Sequence, residues 1–175
     1  MLRPGDRAPE IDLPCVMNDR ISRFTLASVR SDLVVVFFYP HDFSFICPTE
    51  VTGFNGALAS FARENTTVVG ASVDNADSHQ RWARELGGVR YPLLADEGGK
   101  IARAFGVFDE SENAAMRATF LINRDRTIAY ALASPINIGR SVAETLRVVE
   151  ALRTGRLCPA DWKPGDQLGP GDRKY

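Results

Sequence analysis

Residues 33–50, Leu33-Val34-Val35-Val36-Phe37-Phe38-Tyr39-Pro40-His41-Asp42-Phe43-Ser44-Phe45-Ile46-Cys47-Pro48-Thr49-Glu50, decide the fold. The first seven are apolar without a break, the pattern of a central strand covered on both faces. Pro40 closes the run, and Pro48 suits a first helical turn. A helix follows, because Phe54, Leu58 and Phe61 fall on one face. Residues 67–73 (TVVGASV) read as a second strand and 77–86 as a second helix stopped by Gly87-Gly88. Farther on, 100–105 is a short helix before Gly106, and 118–123 and 127–132 are two strands joined by Arg124-Asp125-Arg126 as a hairpin. In the last helix Ser141 and Glu144 have capping-box spacing, Val142, Leu146, Val149 and Leu152 form the apolar stripe, and Gly155 ends it. A parallel βαβ unit, an antiparallel hairpin and a closing helix make a three-layer α/β domain with a mixed central sheet over residues 1–155. An arm, 156–175, follows, in which glycine and proline interrupt any period.

That order of elements is thioredoxin-like. The 175 residues are 45% apolar and 25% charged, the balance of one ordinary globular domain that folds without a disulfide or structural metal. The net charge is −1 with no block of either sign, which excludes electrostatic binding to nucleic acid or an anionic membrane. The seven-residue apolar run is too short to span a bilayer. Arg3, Asp6, Arg7, Glu10 and Asp12 leave no signal-peptide core at the start, so a cytoplasmic location is expected. Cys15, Cys47 and Cys158 are too few for a secreted disulfide framework. His41 and His79 lie far apart and no cysteine pair has zinc spacing, so no metal is expected.

Cys47 carries the chemistry. It follows the carboxyl end of the central strand, where open α/β sheets bind ligands, and it opens a helix, whose free N–H groups favour a thiolate over a thiol. Ser44, three residues earlier, is placed to set its hydroxyl beside the sulfur. Phe37, Phe38, Tyr39, Phe43 and Phe45 are expected to wall a small apolar pocket whose mouth leaves the sulfur reachable. Cys15 has no polar pattern around it and reads as packing. His41 and His79 read as loop and helix-surface residues, Trp82 as packing, and Arg117, on its own, as a surface charge. A local Cys-x-x-Cys dithiol is excluded because Glu50 stands at the second position. A second thiol must come from far along the chain or from another chain, and Cys158 in the Gly/Pro-rich arm is the candidate.

Residues 37–50 closely resemble the active-site loop of the peroxiredoxins, Pro-x-x-x-(Ser/Thr)-x-x-Cys, here Pro40, Ser44 and Cys47. The resemblance runs along nearly the whole chain. Arg117 matches the family's active-site arginine, and Cys158-Pro159-Ala160-Asp161-Trp162 matches the resolving-cysteine segment of the typical two-cysteine branch, which includes the peroxidase component of bacterial alkyl hydroperoxide reductase. Gly139-Arg140-Ser141 and Ser78-His79 with Trp82 agree with that branch. The resemblance implies that Cys47 attacks a hydroperoxide and becomes a sulfenic acid, that Pro40 shields the thiolate, that Ser44 hydrogen-bonds sulfur and peroxide, and that Arg117 steadies the developing charge. It implies that Glu50 and Arg140 hold Arg117, and that Cys158 of a partner subunit forms a disulfide with Cys47. A thioredoxin-like or flavoprotein dithiol reductant would then restore both thiols, with no metal or organic cofactor. It further implies a homodimer and, as in many relatives, a decamer. An ATP-independent holdase or scaffold ring is the alternative from another class; a protein-disulfide reductase is disfavoured by Glu50.

Four departures from the family pattern stand out. His41 occupies a position that is often apolar, and Ala118 one that is often glycine. Gly87-Gly88-Val89-Arg90 replaces the Gly-Gly-Leu-Gly loop of peroxide-sensitive relatives, and the tail to Tyr175 lacks their Tyr-Phe pair. Disulfide formation is therefore expected to outrun over-oxidation.

Overall fold

The computed structural model describes residues 1–171; residues 172–175, the end of the tail in which no Tyr-Phe pair occurs, lie outside the described residues. A seven-stranded sheet is built from β1 (Asp12–Met17), β2 (Arg20–Thr25), β3 (Leu33–Phe38), β4 (Thr66–Ser72), β5 (Leu93–Ala95), β8 (Arg117–Asn123) and β9 (Ile128–Ser134) in the order β2-β1-β5-β4-β3-β8-β9. β3, β4 and β5 run parallel, while β8 and β9 on one side and β1 and β2 on the other are antiparallel, so the sheet is mixed. Among the described residues the α-helices are α1 (Cys47–Arg63), α2 (Ala76–Glu85), α3 (Lys100–Ala104) and α4 (Val142–Thr154). β6 (Phe108–Asp109) and β7 (Ala114–Ala115) form a separate two-residue ladder.

Every residue of β3 is buried, because alternate side chains feed two cores. Val35, Phe37 and Tyr39 meet Phe54 and Phe61 of α1, Trp82 of α2 and Val149 of α4. Val34, Val36 and Phe38 meet Phe105, Phe120, Ile122 and the α3 residues Ile101 and Ala102 on the other face. That is the three-layer arrangement expected from the uninterrupted apolar run. Phe37 stacks on Phe54 with centroids 4.2 Å apart. The close fit reaches β4, where a Cβ on Gly70 would lie 2.8 Å from the Phe37 ring and 2.9 Å from Leu93.

The local signals act largely as their chemistry suggests. Asn75 caps α2 by accepting from the Ser78 amide, and Gly155 ends α4 with φ 62°. Ser141 accepts from the Glu144 amide at 3.1 Å, but the Glu144 carboxylate turns to Arg147 at 2.6 Å, so only half of a capping box forms. The arm is not free chain. Trp162 is buried, its indole donates to the Asp166 carbonyl at 3.3 Å, and Arg147 of α4 donates to the Trp162 carbonyl at 3.2 Å.

Candidate active site

Cys47 is the first residue of α1, in the connection from the carboxyl end of β3. Its amide donates to the Ser44 hydroxyl at 3.3 Å, and the Thr49 amide donates to the Ile46 carbonyl at 3.0 Å. The sequence places proline in this first turn, where its missing N–H leaves no intrahelical bond unmade. Ser44 thus fixes the turn that aims the sulfur. Pro40 is buried at the end of the strand.

Arg117 opens β8, the strand beside β3, where Phe38 pairs with Ala118. One guanidinium nitrogen, Nη1, donates to the Cys47 sulfur at 3.3 Å and to Glu50 Oε2 at 2.7 Å, while Nε donates to the Ile136 carbonyl at 2.8 Å. Glu50, one turn along α1, is also gripped by Arg140, which donates to Oε1 from its backbone amide at 2.8 Å and from Nε at 3.0 Å. Arg140 reaches on to the Ala118 carbonyl at 2.7 Å, to Thr119 Oγ1 at 3.2 Å and to the Phe38 carbonyl. All three charged side chains are almost fully buried. Burial pushes the Arg140 guanidinium below its ordinary value and Glu50 opposes this, yet a guanidinium keeps its proton in protein. Two cations therefore face one carboxylate, and the cluster becomes neutral when Cys47 is a thiolate. Such a site offers fixed N–H donors to charge on sulfur and on an oxygen bonded to it.

Two expectations fail here. The sulfur is not at an open mouth: Cys47 has 0% exposure. Of the expected ring walls only Phe37 and Tyr39 share the buried cluster of Cys47; Phe38 faces the opposite core, and Phe43 is 50% and Phe45 96% exposed. Both project outward because the left-handed turn at Phe43, φ 54°, turns this part of the connection off the core.

Cys158 stands elsewhere. Its sulfur sits past the C-terminal end of α4, 3.5 Å from Thr154 Oγ1 and 3.8 Å from the Ala151 and Arg156 carbonyls, in a cavity of about 450 Å³ that Cys47 does not line. All three cysteines are free. The two sulfurs differ in surroundings: that of Cys47 accepts from a guanidinium at the start of α1, whereas that of Cys158 lies among carbonyl oxygens past the end of α4. Cys15 is buried in core packing, 3.3 Å from Ser22 Oγ. Among the described residues, no group of three or more His, Cys, Asp and Glu side chains is arranged to hold a metal.

Residues 4–131, well over half of the chain, match the AhpC/TSA family model. The chain belongs to this family. It is 36% identical over 181 residues to the chloroplastic 2-Cys peroxiredoxin BAS1 of Spinacia oleracea, covering 97% of this chain and 68% of the relative. It is also 36% identical over 178 residues to peroxiredoxin prdx-2 of Caenorhabditis elegans, covering 95% and 89%. The reduced 2-Cys peroxiredoxin of Plasmodium vivax superposes with a TM-score of 0.89 at 29% identity, covering 96% of this chain and 93% of that one. AhpC of Mycobacterium tuberculosis gives 0.85 at 29%, covering 93% and 99%. The protein is a typical 2-Cys peroxiredoxin, an enzyme that uses a thiol to reduce a peroxide.

One part of the peroxiredoxin site departs from its sequence reading. His79, expected on the surface of α2, has no exposed area and faces Asp42 at 2.9 Å. Tyr39 donates to Asp42 at 2.9 Å, and burial, followed by the nearby Asp42 charge, holds its phenol well above the ordinary range. α2 is mostly polar, which hides its inward face; the signal is the triplet Ser78, His79 and Trp82, whose spacing puts His79 and Trp82 on one side. Trp82 is packing, as expected.

Proposed function

We propose that this peroxiredoxin reduces hydrogen peroxide and organic hydroperoxides in two thiol steps. The Cys47 thiolate attacks the terminal oxygen; an S–O bond forms as the O–O bond breaks, and water or an alcohol leaves, with sulfur oxidised to a sulfenic acid. Arg117 stabilises the charge as it moves from sulfur toward the oxygens, and Glu50 and Arg140 keep the guanidinium at its post. The Cys158 thiol of a partner subunit then attacks the sulfenic sulfur, an S–S bond forms and water leaves. A dithiol protein, thioredoxin-like or a flavoprotein, reduces the disulfide and becomes a disulfide itself.

The observation that carries this reading is one guanidinium nitrogen held 3.3 Å from a helix-opening sulfur by a buried carboxylate. A homodimer is supported by β9, an edge strand of the sheet, and by the exposed Leu132, Ile136 and Ile138 on and just beyond it. Separation of Cys47 and Cys158 within one chain supports a link between subunits. Non-reducing electrophoresis after one equivalent of peroxide tests it. Wild type is expected to run as a covalent dimer and Cys158→Ser as a monomer; a monomeric disulfide in wild type would place the link within the chain. Loss of peroxide consumption in Cys47→Ser separates this reading from a holdase, whose client protection would survive.

A further inference from the structure

The connection over Cys47, residues 39–46, has neither a ladder nor a helix of its own beyond the end of β3. Phe43 holds a left-handed backbone that ordinary side chains rarely keep without outside support; the Phe45 ring is in solvent, and the half-exposed Phe43 ring keeps one tilted contact with Trp82, centroids 6.3 Å apart. Apolar burial of these two rings therefore gives the segment only a small part of its hold. Asp42 gives more. Its buried carboxylate accepts from Tyr39 Oη at 2.9 Å and Ser78 Oγ at 2.8 Å, and lies 2.9 Å and 3.1 Å from His79 Nδ1. The Asp42 amide donates to Asp74 Oδ2 at 2.9 Å, and Asp74 is itself held by Ser72 Oγ at 2.7 Å. The other imidazole nitrogen, Nε2, is 3.0 Å from the Leu94 carbonyl of β5. A carbonyl only accepts, so Nε2 bears a hydrogen, and a second hydrogen must lie between Nδ1 and Asp42. The segment is thus tied to α2 and, through the imidazole, to the middle of the sheet. Neither Asp42 nor His79 touches the Cys47, Arg117, Glu50 and Arg140 cluster.

We propose that Asp42 and His79 are positioning residues that latch residues 39–46 over Cys47, and that release of the latch limits how fast oxidised Cys47 meets Cys158. The second half rests on the peroxidase cycle proposed above; the first does not. Closed, the latch sets Ser44 and the first turn of α1 for peroxide. Opening draws Asp42 out of a buried set of donors and leaves His79 without its partner, so closure outlasts the attack and opening is the slow local event.

Hydrogen–deuterium exchange on the full-length reduced protein tests the latch, with Asp42→Asn, His79→Gln and, as a control at the far end of β3, Ser31→Ala. Asp42→Asn keeps the shape and offers Nδ1 a donor, so it carries the test alone if His79→Gln does not fold. Exchange at amides 42–47 is expected to rise about tenfold in the folded latch variants, the difference between charged and neutral hydrogen bonding, with β3, β4 and β8 unchanged. Ser31→Ala is expected to leave 42–47 as in wild type. Unchanged exchange at 42–47, or a rise spread evenly through β3, β4 and β8, overturns the latch. After a peroxide pulse, disulfide formation is expected to quicken and sulfinic Cys47 per turnover to fall; a disulfide step no faster than wild type despite faster local exchange overturns the limiting role. Local exchange that rises in a protein consuming no peroxide upholds the latch and overturns the peroxidase cycle instead.

Discussion

Arg140 holds Glu50 with three donors, its own backbone amide at 2.8 Å, Nε at 3.0 Å and Nη2 at 3.2 Å. The loop before α4 is thereby bound to the first turn of α1, and Glu50 Oε2 accepts from both Arg140 Nη2 and Arg117 Nη1. Stability and chemistry share this carboxylate.

Replacing it separates the two. Glu50→Gln leaves two buried guanidinium groups without the carboxylate that both of them face, and the loss of stability is expected to be about 3–5 kcal/mol. Thermal or urea denaturation of the reduced protein measures it. A change below about 1 kcal/mol, the worth of an exposed pair, would contradict the buried network.

Arg117→Met is expected to slow sulfenic acid formation by about 10²–10³-fold, the cost of one fixed donor to a charge-developing centre. Stopped-flow measurement of the first peroxide turnover isolates that step. Because Glu50 keeps Arg140, the variant should remain folded; a rate within threefold of wild type, roughly 0.6 kcal/mol of barrier, would remove Arg117 from the mechanism.

Sulfinic Cys47 is expected to stay a minor product through many turnovers at modest peroxide, since Val89 and Arg90 follow Gly87-Gly88 where sensitive relatives carry Leu-Gly. Mass spectrometry of the reacted protein counts it. Cys158→Ser should reverse the result, because the sulfenic acid then has no thiol to meet.

Gly70→Ala tests the core behind the site. The added methyl has to displace the Phe37 ring or Leu93, at a cost of about 1–3 kcal/mol. An unchanged melting temperature would mean that the ring has room the distances deny.

The β3-to-α1 unit is legible because an unbroken apolar run, a proline stop and a cysteine before a proline each act locally. The β1–β2 hairpin is not. Pro14 interrupts β1, β2 shows only Phe24 buried, and the turn signal Asn18-Asp19, with both φ positive, sits between strands with little apolar alternation. Three-residue β5 and the β6–β7 ladder are too short for any period to show. Arg117 is legible only through resemblance, since its residue type alone says surface; the antiparallel pairing of β3 with β8 brings it to a sulfur 70 positions away. His79 fails for a related reason, as its burial depends on Asp42, 37 positions earlier.

A reactive sulfur with no surface is also a steric filter. Small, thin oxidants need the least give to reach it, whereas maleimides, glutathione disulfide and other bulky electrophiles find nothing to strike. The enzyme can therefore keep its sharpest nucleophile loaded among competing thiols and disulfides without losing it to mixed adducts, and partly exposed Cys158 becomes the atom that such reagents tag first.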